Sequence, residues 1–309
     1  MAEAPDLENT AGGRVGFIGI GNMGWPMAAN LVRCGFQVSV YDTDPRRSAR
    51  FVDEIGGQAA ASLAEMGHSC NTVVTMLPTG GIVRHVMLEA EEGGLAAHLA
   101  PGALLIDMSS SDPLGTRDLG ETLKARGLAM VDAPVSGGVP RACEGTLTIM
   151  IGAGEASLAA RARPVLEAMG RDVMETGPLG SGHAMKALNN YVAAAGFAAA
   201  AEALIAGRAF GLDPAVMIDI MNVSTGRNFS TENTIRSQVL TQDFASGFAL
   251  ALLAKDVGIA CDLAKGIGLD LPLVEATSRM WFEARDALGG TKDHTEAIRA
   301  WETAARKEP

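Results

Sequence analysis

The stretch Arg14-Val-Gly-Phe-Ile-Gly19-Ile-Gly21-Asn-Met-Gly24-Trp-Pro-Met-Ala-Ala-Asn-Leu31 decides the fold. It opens with a short apolar run of strand character, passes through three spaced glycines, and continues into Met23–Cys34, which has helical character. In a strand–turn–helix unit of this kind the first glycine permits the tight turn. The second lets backbone approach a pyrophosphate, and the third lets the helix pack closely on the strand. The free N–H groups and positive dipole end of the helix then face the phosphates. Gly19, Ile20, Gly21, Asn22, Met23 and Gly24 are therefore expected to hold a dinucleotide. Asp42 ends the second apolar run about 20 residues further on, where a carboxylate accepts from ribose hydroxyls. A carboxylate there repels a 2′-phosphate, which places NAD ahead of NADP; Arg46 and Arg47, within reach of a phosphate, narrow that preference.

The pattern repeats outward from this unit. Phe36–Tyr41, Thr72–Leu77, Ala103–Ile106, Ala129–Val131 and Leu147–Ile151 read as strands. Between or after them, Pro45–Ile55, Pro113–Arg126 and Glu155–Met169 read as helices. Alternation of this kind predicts an α/β domain, a Rossmann-type doubly wound parallel sheet covered on both faces. The texture changes at Thr176–Gly182, where Gly177, Pro178, Gly180 and Gly182 cluster. Beyond it Met185–Phe210 reads as one long Ala-rich helix, and Pro214–Val223, Phe248–Lys265, Leu273–Leu288 and Thr295–Lys307 as further helices. The expected organisation is a disordered leader over 1–13, an NAD-binding domain over 14–178, and an all-α substrate and oligomerisation domain over 179–309.

Composition narrows the function classes. The chain has 309 residues, 48% hydrophobic and 20% charged, enough apolar content for a sizeable core. Its 25 basic and 36 acidic residues leave a net charge of −11, which argues against a nucleic-acid partner while leaving room for an anionic substrate gripped by local cations. The four cysteines form no CxxC pair, so a reduced, cytoplasmic protein without structural zinc is expected. Residues 1–13 carry Glu3, Asp6 and Glu8 without Lys or Arg, unlike a targeting segment. The longest uncharged apolar run, Ala187 to Ala201, falls short of the ~20 residues that span a bilayer, so no membrane partner is expected.

Two later segments carry the chemistry. In Gly177-Pro-Leu-Gly-Ser-Gly-His-Ala-Met-Lys186-Ala-Leu-Asn-Asn190, Lys186 and Asn190 are i and i+4 on a helix whose composition predicts burial. Desolvation lowers the pKa of a lysine toward neutrality, where it can exchange a proton. Ser136-Gly137-Gly138 follows a strand directly, so its glycines expose N–H groups that can grip a carboxylate while Ser136 adds a hydroxyl.

On these residues the chain resembles the β-hydroxyacid dehydrogenases of the 3-hydroxyisobutyrate dehydrogenase type, from Arg14 to about Trp301. Phe17–Leu31 is similar to the family's N-terminal signature, with Ile20 where Leu is usual. Met76-Leu77-Pro78 resembles the loop bordering the cofactor, and Asp107-Met-Ser-Ser110 the family's Asp-x-Ser-Thr, with Ser110 supplying the cofactor-facing hydroxyl. The resemblance makes Lys186 the catalytic lysine, Asn190 the substrate-binding amide and Ser136-Gly137-Gly138 the substrate turn. It also places Phe248 and Asp256 at the substrate and Lys255 on the cofactor. The implied reaction moves a hydride between NAD and the hydroxyl carbon of a small 3-hydroxy acid, with Lys186 as general acid/base.

The distal substituent of the substrate is left to Val139–Arg141, Met221–Phe229 and Phe248, where Arg141 or Arg227 could meet a second anion. Two alternatives stand beside this reading. One is an NAD(P)H-dependent semialdehyde reductase for tartronate semialdehyde or a sulfonated or threonate-type substrate; the other is a catalytically silent NAD-binding scaffold. The apolar surface of Met185–Phe210 and the late helices predicts a homodimer or homotetramer.

Overall fold

The structure, a computed structural model, describes residues 13–306. The expected leader therefore lies, Gly13 apart, outside the described residues. The chain divides into two compact units, the first reaching Lys186 and the second starting at Ala187.

In the first unit β1 (Arg14–Ile18), α1 (Gly24–Arg33), β2 (Gln37–Tyr41), α2 (Pro45–Glu54), β3 (Gln58–Ala59), α3 (Leu63–Ser69), β4 (Thr72–Thr75) and α4 (Gly80–Arg84) form the first half of the sheet and its cover. β5 (Leu104–Asp107), α5 (Pro113–Ala125), β6 (Ala129–Asp132), β7 (Val135–Ser136), α6 (Gly138–Glu144), β8 (Leu147–Ala153), α7 (Ala156–Glu167) and β9 (Gly170–Gly177) form the second. The strand order β3-β2-β1-β4-β5-β6 is parallel throughout. β8 then runs antiparallel to β6 and β7 and parallel to β9.

The Rossmann-type sheet is thus mixed at its far edge. β8 follows β7 through a short helix, α6, rather than through the long crossover that a parallel partner requires. Alternate residues of the central strands feed two separate cores. Val74, Leu104 and Ile106 join Phe17, Met27 and Leu31 on one face, while Val73 and Leu105 join Met87, Leu119 and Leu123 on the other. That division is what a strand period of two produces when helices cover both faces. Sequence order reverses between β1 and β4, and such a switch point is where open α/β sheets bind ligands, outside the carboxyl ends of the strands.

Among its described residues the second unit has helices and one isolated bridge, between Ala249 and Asp293. α8 (Ser181–Phe210) starts in the first unit and supplies the first helix of the second. It is followed by α9 (Pro214–Asn222), a wide-turn helical segment Ser230–Leu240, α10 (Leu250–Gly266), α11 (Pro272–Leu288) and α12 (Ala297–Ala305). Among the described residues, α8 alone is long and apolar enough to cross a bilayer by length and composition. Its Ala194, Phe197, Ala201 and Leu204 are fully buried with Trp281, Val257 and Ile298, so it forms the spine of this unit's core.

Candidate active site

The turn after β1 is held on both sides by the sheet. Gly19 donates to the Tyr41 carbonyl at 2.9 Å, and Met76, just past β4, donates to Ile18 at 2.9 Å. Gly19 sits at φ +92°, and a Cβ there would collide with the Met76 carbonyl, so only glycine fits between the two strand ends. A Cβ on Gly24 would strike the Gly19 carbonyl, which explains how α1 begins so close to β1. Gly21 differs: its nearest neighbour would be Arg47 Nη1 at 4.0 Å, leaving the turn open. Met23 precedes α1 without a side-chain cap, so the first-turn N–H groups are not taken by a capping side chain. An open glycine turn ahead of an uncapped helix is a cradle that fits a pyrophosphate.

Asp42 stands beside this cradle. Its Oδ2 accepts from Ile20 N at 3.1 Å and its Oδ1 from Asp44 N at 3.0 Å, which orients the carboxylate and leaves lone pairs on both oxygens. Arg47 Nη1 lies 3.8 Å from Asp42 Oδ2. Arg46 turns instead to Asp44, 3.0 Å away, and the hydrogen bond from Arg46 holds the Asp44 carboxyl below its usual range. Residues for an adenosine ribose and a pyrophosphate are therefore present and fit NAD.

Beyond β4, Leu77 is half-buried and Pro78 exposed, and Leu77 N donates to Ser109 Oγ at 2.9 Å. Ser109 and Ser111 are buried, whereas Ser110, the residue singled out from sequence, is half-buried. The half-buried Ser136 is followed by exposed Gly137 and Gly138, at φ +132° and +66°. The stem of Arg141 covers Gly137, with Cδ 2.5 Å from where a Cβ would stand. A side chain at 137 would thus be strained by the backbone and blocked by Arg141.

α8 carries Lys186, half-buried, and Asn190, buried, one turn apart. In the second unit Asn190 Nδ2 donates to Asp256 Oδ2 at 2.6 Å, and Lys255 Nζ lies 3.3 Å from Asp256 Oδ1. Asn190 Oδ1 in turn accepts from Asn189 Nδ2 at 3.4 Å. Phe248 is half-buried against the His294 ring at 5.9 Å, and its carbonyl accepts from His294 N at 2.9 Å. Arg227 pairs with Glu232 at 3.6 Å.

Sequence reasoning passed over a buried polar network in the first unit. Asp107 ends β5 and accepts from Thr75 Oγ1 at 2.9 Å, Ser109 N at 3.0 Å and Ser111 Oγ at 2.9 Å. Its register partner Asp132 ends β6 and accepts from Gly180 N and His183 N, both at 2.7 Å. Burial raises the Asp132 pKa above its ordinary value, opposed by the His183 charge and these two backbone bonds. The available signal was a carboxylate closing each of two apolar runs, Ala103–Ile106 and Ala129–Val131, at the edge where a parallel sheet binds ligands.

Comparison with known proteins places this arrangement. Residues 14–177 match the family described as the NAD binding domain of 6-phosphogluconate dehydrogenase. Residues 180–301 match that described as NAD-binding of NADP-dependent 3-hydroxyisobutyrate dehydrogenase. The chain is 37% identical over 290 residues to the 2-(hydroxymethyl)glutarate dehydrogenase of Eubacterium barkeri, covering 94% of this chain and 95% of that one. It is 39% identical to the 3-hydroxyisobutyrate dehydrogenase of Pseudomonas aeruginosa, covering 84% and 88%. The structure of Mycobacterium tuberculosis 3-hydroxyisobutyrate dehydrogenase with L-serine superposes with a TM-score of 0.85 at 33% identity, covering 94% and 99%. A glycine cradle with its ribose carboxylate, followed by a helical unit and matched along both units at this identity, identifies the chain as a member of the β-hydroxyacid dehydrogenase family of the 3-hydroxyisobutyrate dehydrogenase type, an NAD-dependent oxidoreductase of small 3-hydroxy acids.

Proposed function

We propose that Lys186 is the general acid/base for oxidation of a 3-hydroxyisobutyrate-like acid. The observation that carries this is the pairing on α8: Lys186 and Asn190 one turn apart, with Asn190 held at 2.6 Å by buried Asp256. Bound NAD⁺ supplies the hydride acceptor. Neutral Lys186 takes the hydroxyl proton at Nζ, and in the reverse direction its ammonium returns it to the forming alkoxide. Asn190, one turn further along α8, orients Lys186 or the substrate oxygen. Ser136 Oγ and the N–H groups of Gly137 and Gly138 hold the substrate carboxylate, with Phe248 and Asp256 as further substrate residues. Gly19 to Gly24, Asp42, Leu77, Pro78, Ser110 and Lys255 serve the cofactor.

The functional division is taken at 178/179, with the cofactor unit before it and the substrate and oligomerisation unit after. Asp42 favours NAD over NADP, because its carboxylate sits where a 2′-phosphate would bring a second negative charge. Cytoplasmic location fits the four free cysteines. A homodimer or homotetramer fits the apolar surface left on the second unit, where Val192, Phe210, Val223 and Phe229 are each at least 66% exposed.

The test is a panel of 3-hydroxy acids offered with NAD⁺ and then NADP⁺ at alkaline pH. It should contain 3-hydroxyisobutyrate, 2-(hydroxymethyl)glutarate, serine, glycerate and threonate. Reduction of NAD⁺ by 3-hydroxyisobutyrate with a higher kcat/KM than the other acids is the expected result. A preference for the dicarboxylate would move the substrate assignment to an acid with a second anion and make Arg141 its first candidate ligand.

A further inference from the structure

The buried network has a geometry that ordinary core packing does not need. Asp132 closes β6, yet both of its oxygens are spent on the start of α8: Oδ1 accepts from Gly180 N and Oδ2 from His183 N, each at 2.7 Å. Those two N–H groups lie at the helix start, where no intrahelical carbonyl is available. A carboxylate about 50 residues away in sequence therefore caps the helix from the sheet, in place of a local capping residue. Glycines at 152 and 182 make the approach possible. A Cβ on Gly182 would stand 2.8 Å from Asp132 Oδ2 and collide with the Met150 carbonyl, and one on Gly152 would lie 2.9 Å from Gly182 N.

The imidazole of His183 adds a second anchor. Thr116 Oγ1, on α5, lies 2.9 Å from the Asp112 carbonyl. The same Oγ1 lies 2.8 Å from His183 Nδ1, a hydrogen bond that ties the imidazole to α5 whichever of the two donates. Nε2 then faces Asp107 Oδ2 at 3.7 Å, and the side chain is fully buried between the ends of β5 and β6. Placing two carboxylates and an imidazole out of water is costly unless they are held in a defined arrangement. Asp132 fixes the start of α8 along its axis, and His183 fixes its rotation against α5.

Lys186 is the next residue but two on the same helix. We propose that Asp132 and His183 are positioning residues for Lys186, holding the first turn of α8 so that Nζ meets the reacting hydroxyl. The inference rests on the assignment of Lys186 as general acid/base. A misplacement of about 1 Å at a reacting group costs on the order of 100-fold in rate, so a modest rotation of this turn is enough to matter.

The experiment compares full-length wild type with His183→Leu, His183→Asn, Thr116→Val and Lys186→Ala. Each is assayed for kcat, KM and the pH profile of kcat/KM, with NADH titration counting the folded, cofactor-competent molecules. His183→Leu is expected to lose at least about tenfold in kcat per competent molecule, with KM for NAD⁺ unchanged within about twofold. The acid limb of its kcat/KM profile should move upward, because a loosened Lys186 is more hydrated and holds its proton more tightly. His183→Asn, whose side-chain amide can either donate to or accept from Thr116 in place of Nδ1, should recover most of the rate. Thr116→Val, which removes that bond together with the one to the Asp112 carbonyl, should show a smaller loss with the same shift of the limb. Wild-type kcat and pH profile in a folded His183→Leu would overturn the proposal. So would a rate loss that merely tracks the NADH-competent fraction. Should His183→Leu not fold, wild-type kcat and profile in Thr116→Val overturn it. An active Lys186→Ala would instead remove the general-base assignment itself, which separates the two failures.

Discussion

At the residue scale, Asp42 after β2 and Gly24 at the start of α1 differ in what they contribute to the same cradle. Asp42 accepts from Ile20 N and Asp44 N, and Arg47 Nη1 stands 3.8 Å from its Oδ2. Asp42→Ala should raise KM for NAD⁺ and narrow the gap to NADP⁺. Leaving two backbone donors without their partner should also cost about 1–3 kcal/mol of stability, read by urea denaturation of the apo protein. Gly24→Ala places a methyl group on the Gly19 carbonyl and should cost about 1–3 kcal/mol while displacing α1 from β1. Calorimetric titration should then find NADH affinity lowered, because the N–H groups of the helix start have moved. Both carry a local signal in the sequence, a glycine in a G-x-G-x-x-G spacing and a carboxylate closing the second apolar run. Ser110 was legible only in part, since Asp107-Met-Ser-Ser-Ser111 offers three hydroxyls. Ser109 accepts from Leu77 N and Ser111 donates to Asp107, a division that depends on β4 lying beside β5. Asp132 and His183 escaped notice for a related reason: Thr116 and Gly180, which give them meaning, lie 67 and 48 residues away.

At the scale of elements, boundaries follow caps that the sequence states openly. Asp44, Asp112 and Asp213 each precede a proline and cap the helix that follows it; Asp213 accepts from Ala215 N at 2.7 Å at the start of α9. Asp213→Ala should lower stability by about 1 kcal/mol, visible as a reduced denaturation midpoint with kcat unchanged. The strands missed in the sequence are those with weak patterning. β9 reads Gly-Arg-Asp-Val-Met-Glu-Thr-Gly, polar and half exposed beside β8 alone, and β3 and β7 are two residues each. Their existence is imposed by neighbouring strands rather than by their own composition. The antiparallel turn of β8 was equally silent, because strand direction is set by connection length and packing and leaves no mark on the residues of the strand.

At the scale of the whole molecule, acid sensitivity has a candidate source in the second unit. Burial holds His294 below the ordinary histidine value of 6.5, against the opposing pull of Asp293 and the Phe248 carbonyl. The unfolded chain therefore takes up this proton first as pH falls through about 6.5, and the folded state follows only at lower pH. Stability from this residue is present above that range and is lost below it. The thermal midpoint should fall more steeply between about pH 7 and pH 5 in wild type than in His294→Gln. The proposed self-association has its own readout. Analytical ultracentrifugation at micromolar concentration should find a dimer or tetramer, and a monomer there would remove the explanation offered for exposed Phe210 and Val223.

The most direct test of the account is the pH dependence of NAD⁺ reduction by 3-hydroxyisobutyrate in wild type and in Lys186→Ala. Wild type should lose kcat/KM on the acid side, where a protonated Lys186 cannot accept the hydroxyl proton. Lys186→Ala should be slower by about 10²–10⁴, lack that acid limb and bind NADH as wild type does. A Lys186→Ala variant with wild-type rate and the same acid limb would show that another group handles the proton, and the central claim would fall.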